Sequence, residues 1–136
     1  MIAVADRLAI EDRIVAYADA VDRIVDVAAV VACFAPDGVL DLSCVGAAPI
    51  AGHDALRAFF TGSFAGAAHH AHHVSNFAFD ACSDDTAALR CYVLGRALGK
   101  DGSSLTIHGR YRLDMVRVDD DWLIARLAMD LLLPLG

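Results

Sequence analysis

Two periodicities divide the chain. From residue 5 to about 33, Leu8, Ile14, Val15, Ala18, Val21 and Asp22 recur at three- and four-residue steps, while Glu11, Asp12, Arg13 and Asp19 take the other side. That spacing predicts helix. Asp26 is placed to cap a second short helix over residues 27–34, which stops at the turn signal Ala35-Pro36-Asp37-Gly38. A short strand over 39–43 follows. Gly52-His53-Asp54 before Ala55-Leu56-Arg57-Ala58-Phe59-Phe60 then reads as a capped helix.

Beyond residue 70 the period shortens to two. Segments 71–80, 86–98, 104–118 and 121–132 alternate, and breaks at Ser83-Asp84-Asp85, Lys100-Asp101-Gly102-Ser103 and Asp119-Asp120-Asp121 separate them. In the third segment Leu105, Ile107, Gly109, Tyr111, Leu113 and Met115 share one face; His108, Arg110, Arg112 and Asp114 share the other. Helices followed by a meander of long strands predict an α+β fold. The expected form is a cone: a curved antiparallel sheet with the N-terminal helices packed on one face, enclosing a pocket. No repeat, low-complexity tract or linker interrupts the pattern, and a chain of this length carries one core, so a single domain over 1–136 is expected.

Composition changes this picture in three ways. Hydrophobic residues make up 57% of the chain, above a norm of about 45–50%. The richest runs, 27–34 and 131–135, fall far short of the ~18–20 apolar residues of a spanning helix, so no membrane partner is expected. The surplus instead suggests a homodimer through the sheet face. Eleven Lys and Arg against eighteen Asp and Glu give a net charge of −7. That field repels a phosphate backbone, so nucleic acid is not an expected partner. The N-terminus Met1-Ile2-Ala3-Val4-Ala5-Asp6-Arg7 lacks the pattern of a signal peptide. Cys33, Cys44, Cys82 and Cys91 show no C-x-x-C spacing and read as reduced thiols of a cytoplasmic protein.

Several motifs resemble one family. Ala9-Ile10-Glu11-Asp12, Tyr17-Ala18-Asp19-Ala20-Val21-Asp22 and Phe34-Ala35-Pro36-Asp37-Gly38-Val39-Leu40-Asp41 resemble the opening of SnoaL-like proteins, of the nuclear-transport-factor-2-like superfamily. The likeness continues in order through Gly52-His53-Asp54-Ala55-Leu56, His72-His73-Val74-Ser75-Asn76, Asp85-Thr86-Ala87, Gly109-Arg110-Tyr111, Val116-Arg117-Val118 and Trp122, covering nearly the whole chain. Within the superfamily the chain resembles scytalone dehydratase and hexachlorocyclohexane dehydrochlorinase. Both use an Asp–His pair, and the matching positions are Asp22 and His72. Tyr17 stands where the dehydrochlorinase carries a pocket lysine. Leu42 falls near a substrate-binding tyrosine of the dehydratase, and Arg96 near its second histidine. Arg117 resembles an arginine of the dehydrochlorinase. The resemblance therefore implies a retained proton-transfer pair with changed substrate-recognition residues, and puts Leu42 and Arg117 among the substrate contacts. Asp41 resembles the neighbourhood of the base in ketosteroid isomerase, one residue out of register.

The residues supply their own argument for the pair. Asp22 ends an apolar helix row, where a carboxylate is costly to bury without a hydrogen-bonding partner. Histidine suits that role because it exchanges protons near neutrality, and a carboxylate fixes its tautomer. An imidazole so held can take and return a proton, which serves dehydration, elimination, isomerisation or cyclisation. The bland alternative is that Asp22 caps or pairs locally and His72 is an ordinary strand histidine. His69, His70, His72 and His73 invite a metal, and His70 and His72 share a strand face, yet no third ligand has a suitable spacing, so none is expected. Tyr17 is either a donor to a substrate carbonyl or a tyrosine at the core edge. Asn76, on the face of His72, either binds substrate or satisfies backbone groups.

The expected protein is a cofactor-independent lyase or isomerase acting on a small apolar or carbonyl-bearing substrate. Its rival is a non-catalytic ligand-binding or dimerisation module on the same scaffold. An open pocket with Asp22 bonded to His72 speaks for the enzyme. A pocket filled by the 131–135 tail speaks for the module.

Overall fold

The computed structural model describes residues 2–136; Met1, the first residue of the expected 1–136 span, lies outside them. Helix α1 spans Val4–Arg23 and buries Ile10, Ile14, Tyr17, Ala18 and Val21. These positions recur at three and four residues and form one stripe. Leu8 and Val15, expected on that stripe, are 53% and 49% exposed. Each lies two positions from a stripe member (Ile10, Tyr17), about 200° around the helix. The helix stops where Ile24 turns left-handed, at φ 59°.

The expected cap holds: Asp26 Oδ1 accepts from the Ala29 N–H at 3.1 Å at the start of α2, Val27–Val31. The turn signal at 35–38 is corrected by the structure, because these residues lie inside strand β1, Phe34–Asp41. Its register slips between Phe34 and Val39. A bulge there tolerates Pro36, which cannot donate to a ladder. A 3-10 turn at Ser43–Val45 and strand β2 at Ile50–Ala51 lead to α3, His53–Gly66.

The meander follows as β3 Ala67–Cys82, β4 Thr86–Gly99, β5 Ser104–Val118 and β6 Asp121–Leu131. The curved, unclosed sheet has the order β2-β1-β6-β5-β4-β3. It is mixed rather than wholly antiparallel, since β1 runs parallel to β6, with Phe34 opposite Ile124 and Leu40 opposite Leu127. No tight turn joins β1 to β6, so nothing local imposes the antiparallel arrangement that a hairpin would. The alternation read in β5 holds at Gly109, Tyr111, Leu113 and Met115, all buried. α1 packs on β3 and β6, and α2 on α1 and α3, giving the cone. No helix among the described residues is long and apolar enough to cross a membrane.

Two contacts fix how the helical layer meets the sheet. Asp6, in the first turn of α1, accepts from Arg117 Nη2 at 2.8 Å and from Trp122 Nε1 at 3.3 Å. The Arg117 guanidinium lies over the Trp122 ring, 4.5 Å from its centroid. At Gly38, a Cβ would come within 2.9 Å of the Ile124 carbonyl oxygen and 3.0 Å of Phe34 Cβ.

The same substitution should therefore have opposite signs at two glycines. Gly38→Ala is expected to lower unfolding free energy by about 1–3 kcal/mol through overpacking. Gly62→Ala, inside α3 with nothing within 4 Å of the added carbon, should raise it by roughly 0.5–1 kcal/mol. Urea titration of the two variants checks both signs. Hydrogen bonds from Arg117 and then Trp122 hold the Asp6 carboxyl below its ordinary value. Its contribution is thus complete above the unfolded carboxylate value and is lost as pH falls through the depressed folded one. Asp6→Asn should lower the urea midpoint at pH 7, and the deficit should shrink as the pH falls below the ordinary aspartate value; a deficit constant with pH would contradict the assignment.

Candidate functional site

β3 is an edge strand, so its outward N–H groups have no sheet neighbour. The C-terminal turn of α1 supplies one partner. Asp22 Oδ2 accepts from the His72 backbone N–H at 2.9 Å, and Oδ1 lies 2.6 Å from His72 Nδ1. A carboxylate can only accept, so Nδ1 carries the proton and Nε2 of the neutral ring holds a lone pair. Asp22 thus clamps main chain and side chain of one residue. The two side chains remain 26% and 21% exposed.

The preceding helix residue repeats the arrangement. His70 Nδ1 lies 3.2 Å from the Val21 carbonyl oxygen, one of the carbonyls left open at the helix end. This fixes the same tautomer in His70. The two imidazoles stand edge to face, with centroids 6.0 Å apart. His70 was considered in the sequence only as a metal ligand. Its pairing with a backbone carbonyl 49 residues away leaves no sequence signal.

Both histidines line a cavity of about 150 Å³ whose walls include Leu40, Leu42, Phe60, Val93, Ile107 and Met129. Gly95, opposite His72 across the β3–β4 ladder, is part of the same wall. Because the His72 N–H goes to Asp22, this is a non-hydrogen-bonded pair, in which facing side chains approach closely. A Cβ at position 95 would lie 3.1 Å from His72 Cδ2 and 3.3 Å from Nε2. The bare backbone is the shelf on which the imidazole edge rests, and the sequence offered no hint of it.

Of the residues expected at the site, Asp22, His72, Tyr17 and Leu42 are brought together. Tyr17 and Leu42 line the cavity, while Asp22 stands behind His72 on its solvent side. Tyr17 is 6% exposed, and burial pushes its phenol well up. Asn76 and Arg117 do not line the cavity. Asn76 has φ 58° and sits where the β3–β4 register breaks between Ser75 and Ala78, so the alternation that placed it with His72 fails. Arg117 is committed to Asp6, to the Asp84 carbonyl at 2.7 Å and to the Trp122 ring. Asp41 accepts from the Ser43 N–H at 3.0 Å and pairs with Arg126, away from the cavity. Hydrogen bonding from Ser43, more than the Arg126 charge, holds its carboxyl below the ordinary value.

Among the described residues no three His, Cys, Asp or Glu side chains gather as a metal set. Burial pushes the thiols of Cys33 and Cys91 up, the latter to about 12, so neither is a ready thiolate. The C-terminal tail does not plug the cavity. Leu132 N–H donates to the His108 carbonyl at 2.8 Å, and Gly136 exchanges backbone bonds with Thr106, which lays the tail along β5.

A family model described as a SnoaL-like domain matches residues 3–128. Among solved structures, a protein of Novosphingobium aromaticivorans DSM, provisionally named an aromatic ring hydroxylase, is 45% identical over 100% of this chain and 95% of its own, with a TM-score of 0.97. A provisionally named scytalone dehydratase from N. aromaticivorans DSM 12444 is 23% identical, covering 96% and 86%, with a TM-score of 0.86. A hexachlorocyclohexane dehydrochlorinase of Novosphingobium barchaimii LL02 is 17% identical, covering 96% and 88%, with a TM-score of 0.82. The last two share the fold. No sequence among the curated proteins matches.

The tautomers are directly observable. Long-range ¹H–¹⁵N spectra of the neutral protein should report His70 and His72 as Nδ1-protonated, with the His72 Nδ1 proton far downfield. Gly95→Ala should shift that proton while leaving His53 and His108 unmoved. An unshifted His72 signal would remove Gly95 from the description of the site.

Proposed function

The chain belongs to the SnoaL-like domain family, and from that premise we propose that it is a cofactor-independent enzyme of the lyase or isomerase type, with His72 as general base and Asp22 as the group that orients it. The observation that carries this reading is the double grip of Asp22 on His72, beside a cavity that His72 lines. Nε2 takes a proton from a substrate carbon or hydroxyl. The Asp22 carboxylate stabilises the imidazolium that forms, and the same nitrogen returns the proton to a leaving oxygen or a second carbon. The apolar walls exclude water and suit a small apolar or carbonyl-bearing substrate, with Tyr17 as donor and Leu42 as wall. The scaffold is one on which a dehydratase-like protein, a dehydrochlorinase and a ketosteroid isomerase-like protein are built. The name of the 45%-identical relative adds aromatic rings to the compounds to screen. A tail lying along β5 rather than in the cavity supports catalysis over a plugged, non-catalytic module.

The same reading takes the protein to be a cytoplasmic homodimer that meets its partner through the outer sheet face. There Tyr92 and Leu94 are 42% and 41% exposed, and Arg110 lies over the Tyr92 ring. Sedimentation equilibrium should give twice the chain mass for wild type and a shift toward the single mass for Leu94→Lys. A wild-type mass independent of concentration and equal to one chain removes the dimer.

On a substrate found by screening ring ketones, enones and alcohols, His72→Ala should lower kcat/KM by about 10²–10⁴-fold, the usual worth of a positioned base. Asp22→Asn should lower it as well, with circular dichroism unchanged. Turnover at the wild-type rate in folded His72→Ala would end the acid–base reading.

A further inference from the structure

A second tyrosine faces the same cavity. Tyr111, on β5, is 5% exposed and lines it together with Tyr17 from α1. Among the described residues neither phenol hydroxyl has a hydrogen-bond partner, since neither occurs in any side-chain pair closing within 3.5 Å. Yet among the described residues no fully enclosed side-chain nitrogen or oxygen lacks a partner. Both statements hold only if the two hydroxyls keep some exposed surface, and the cavity is a space that both residues line. A phenol O–H whose ring is buried, with only an apolar-walled space before it, is an unfilled donor.

We propose that Tyr111 and Tyr17 form a two-phenol seat for a single acceptor oxygen, and that the ligand of this cavity is a compound of one six-membered ring bearing that oxygen as a ketone, enone or phenolate. Size comes from the volume of about 150 Å³; an apolar protein cavity of roughly that volume accepts benzene. Chemistry comes from the donors. Burial, and then the neighbouring Tyr17, push the Tyr111 phenol far up. Burial does the same at Tyr17. Both therefore stay protonated and donate, and neither serves as a base. Both phenols line this one cavity of about 150 Å³, so a single ligand seated there meets both, as a shared acceptor requires.

The catalytic consequence rests on His72 being the base of this site, as proposed above. When Nε2 removes a proton beside the ring carbonyl, the C–H pair becomes the new C=C bond and the carbonyl π pair moves to oxygen. That oxygen, now anionic, accepts from both phenols, and the proton held on Nε2 returns to another carbon of the same ligand. Donors aimed at developing charge in a dry site stabilise it more than they stabilise the ground state. A halide leaving group would make no use of the seat.

Binding alone tests the seat. 4-Nitrophenolate presents one ring and one anionic oxygen, and nitrobenzene presents the same ring without it. At a pH where the phenol is ionised, the wild-type protein should hold the phenolate at least 10-fold more tightly than nitrobenzene. Tyr111→Phe and Tyr17→Phe should each weaken the phenolate by about 10- to 100-fold, the worth of one hydrogen bond to a charged group, and leave nitrobenzene within a few-fold. His72→Ala should keep the Tyr111-dependent difference while losing turnover, so failure of the base and failure of the seat read differently. Equal phenolate affinity in wild type and Tyr111→Phe, equal affinity of the two probes in wild type, or no binding of either probe would each overturn the proposal.

Discussion

The clamp that Asp22 places on His72 is the contact on which the candidate site depends, because it solves two problems at once. An edge strand carries N–H groups without partners, and a half-buried carboxylate needs donors. At this point on β3 each satisfies the other, with the backbone on Oδ2 and the ring on Oδ1. The imidazole cannot rotate without leaving an acceptor empty. Its orientation is thus a property of the packing of α1 on the sheet rather than of a local rotamer preference. The Val21 carbonyl does the same for His70 one residue earlier, so a single helix end aligns both rings.

What surrounds that clamp is notably apolar. Among the described residues no charged side chain belongs to the fully buried set; several charges pair at the surface, such as Arg112 with Asp130 and Arg90 with Asp80. These exposed pairs add little to stability. The interior relies on side chains such as Phe34, Leu40, Leu113 and Leu127, each worth roughly 1.5–3 kcal/mol when buried. Within such an interior the few polar atoms left to the cavity weigh heavily, since little water competes for them.

Much of the fold was legible because its two periods are clean. The β4, β5 and β6 boundaries fell within a residue of the alternating runs, and Asp26 announced its own cap. β1 was not, because Pro36 and Gly38 signal a turn to any local reading; in the strand a bulge accommodates the proline and the approach of Ile124 favours the glycine. Leu8 and Val15 were misplaced since several apolar rows compete on an alanine-rich helix, and the sheet selects one. The helix row showed that Asp22 needs a partner, but that the partner is His72 was legible only through the resemblance, because their contact spans 50 residues. Asn76 went astray at a bulge that breaks alternation. His70, Gly95 and Tyr111 escaped because their meaning lies in what faces them: a carbonyl, a ring edge and an empty volume.

The topology also sets an order of events. β3 to β6 are joined by short turns, so each pairs with a neighbour close in sequence, whereas β1 reaches β6 and α1 reaches β3 across long stretches of chain. Loop closure costs entropy before a distant contact can offset it. The meander is therefore implied to organise first, with α1 docking onto a sheet already formed, so the Asp22–His72 contact is made late. Pulse-labelled hydrogen exchange in which α1 amides gain protection before those of β4 and β5 would contradict this order. A late docking step also marks α1 as the element whose local opening would dismantle the site while most of the sheet stays intact.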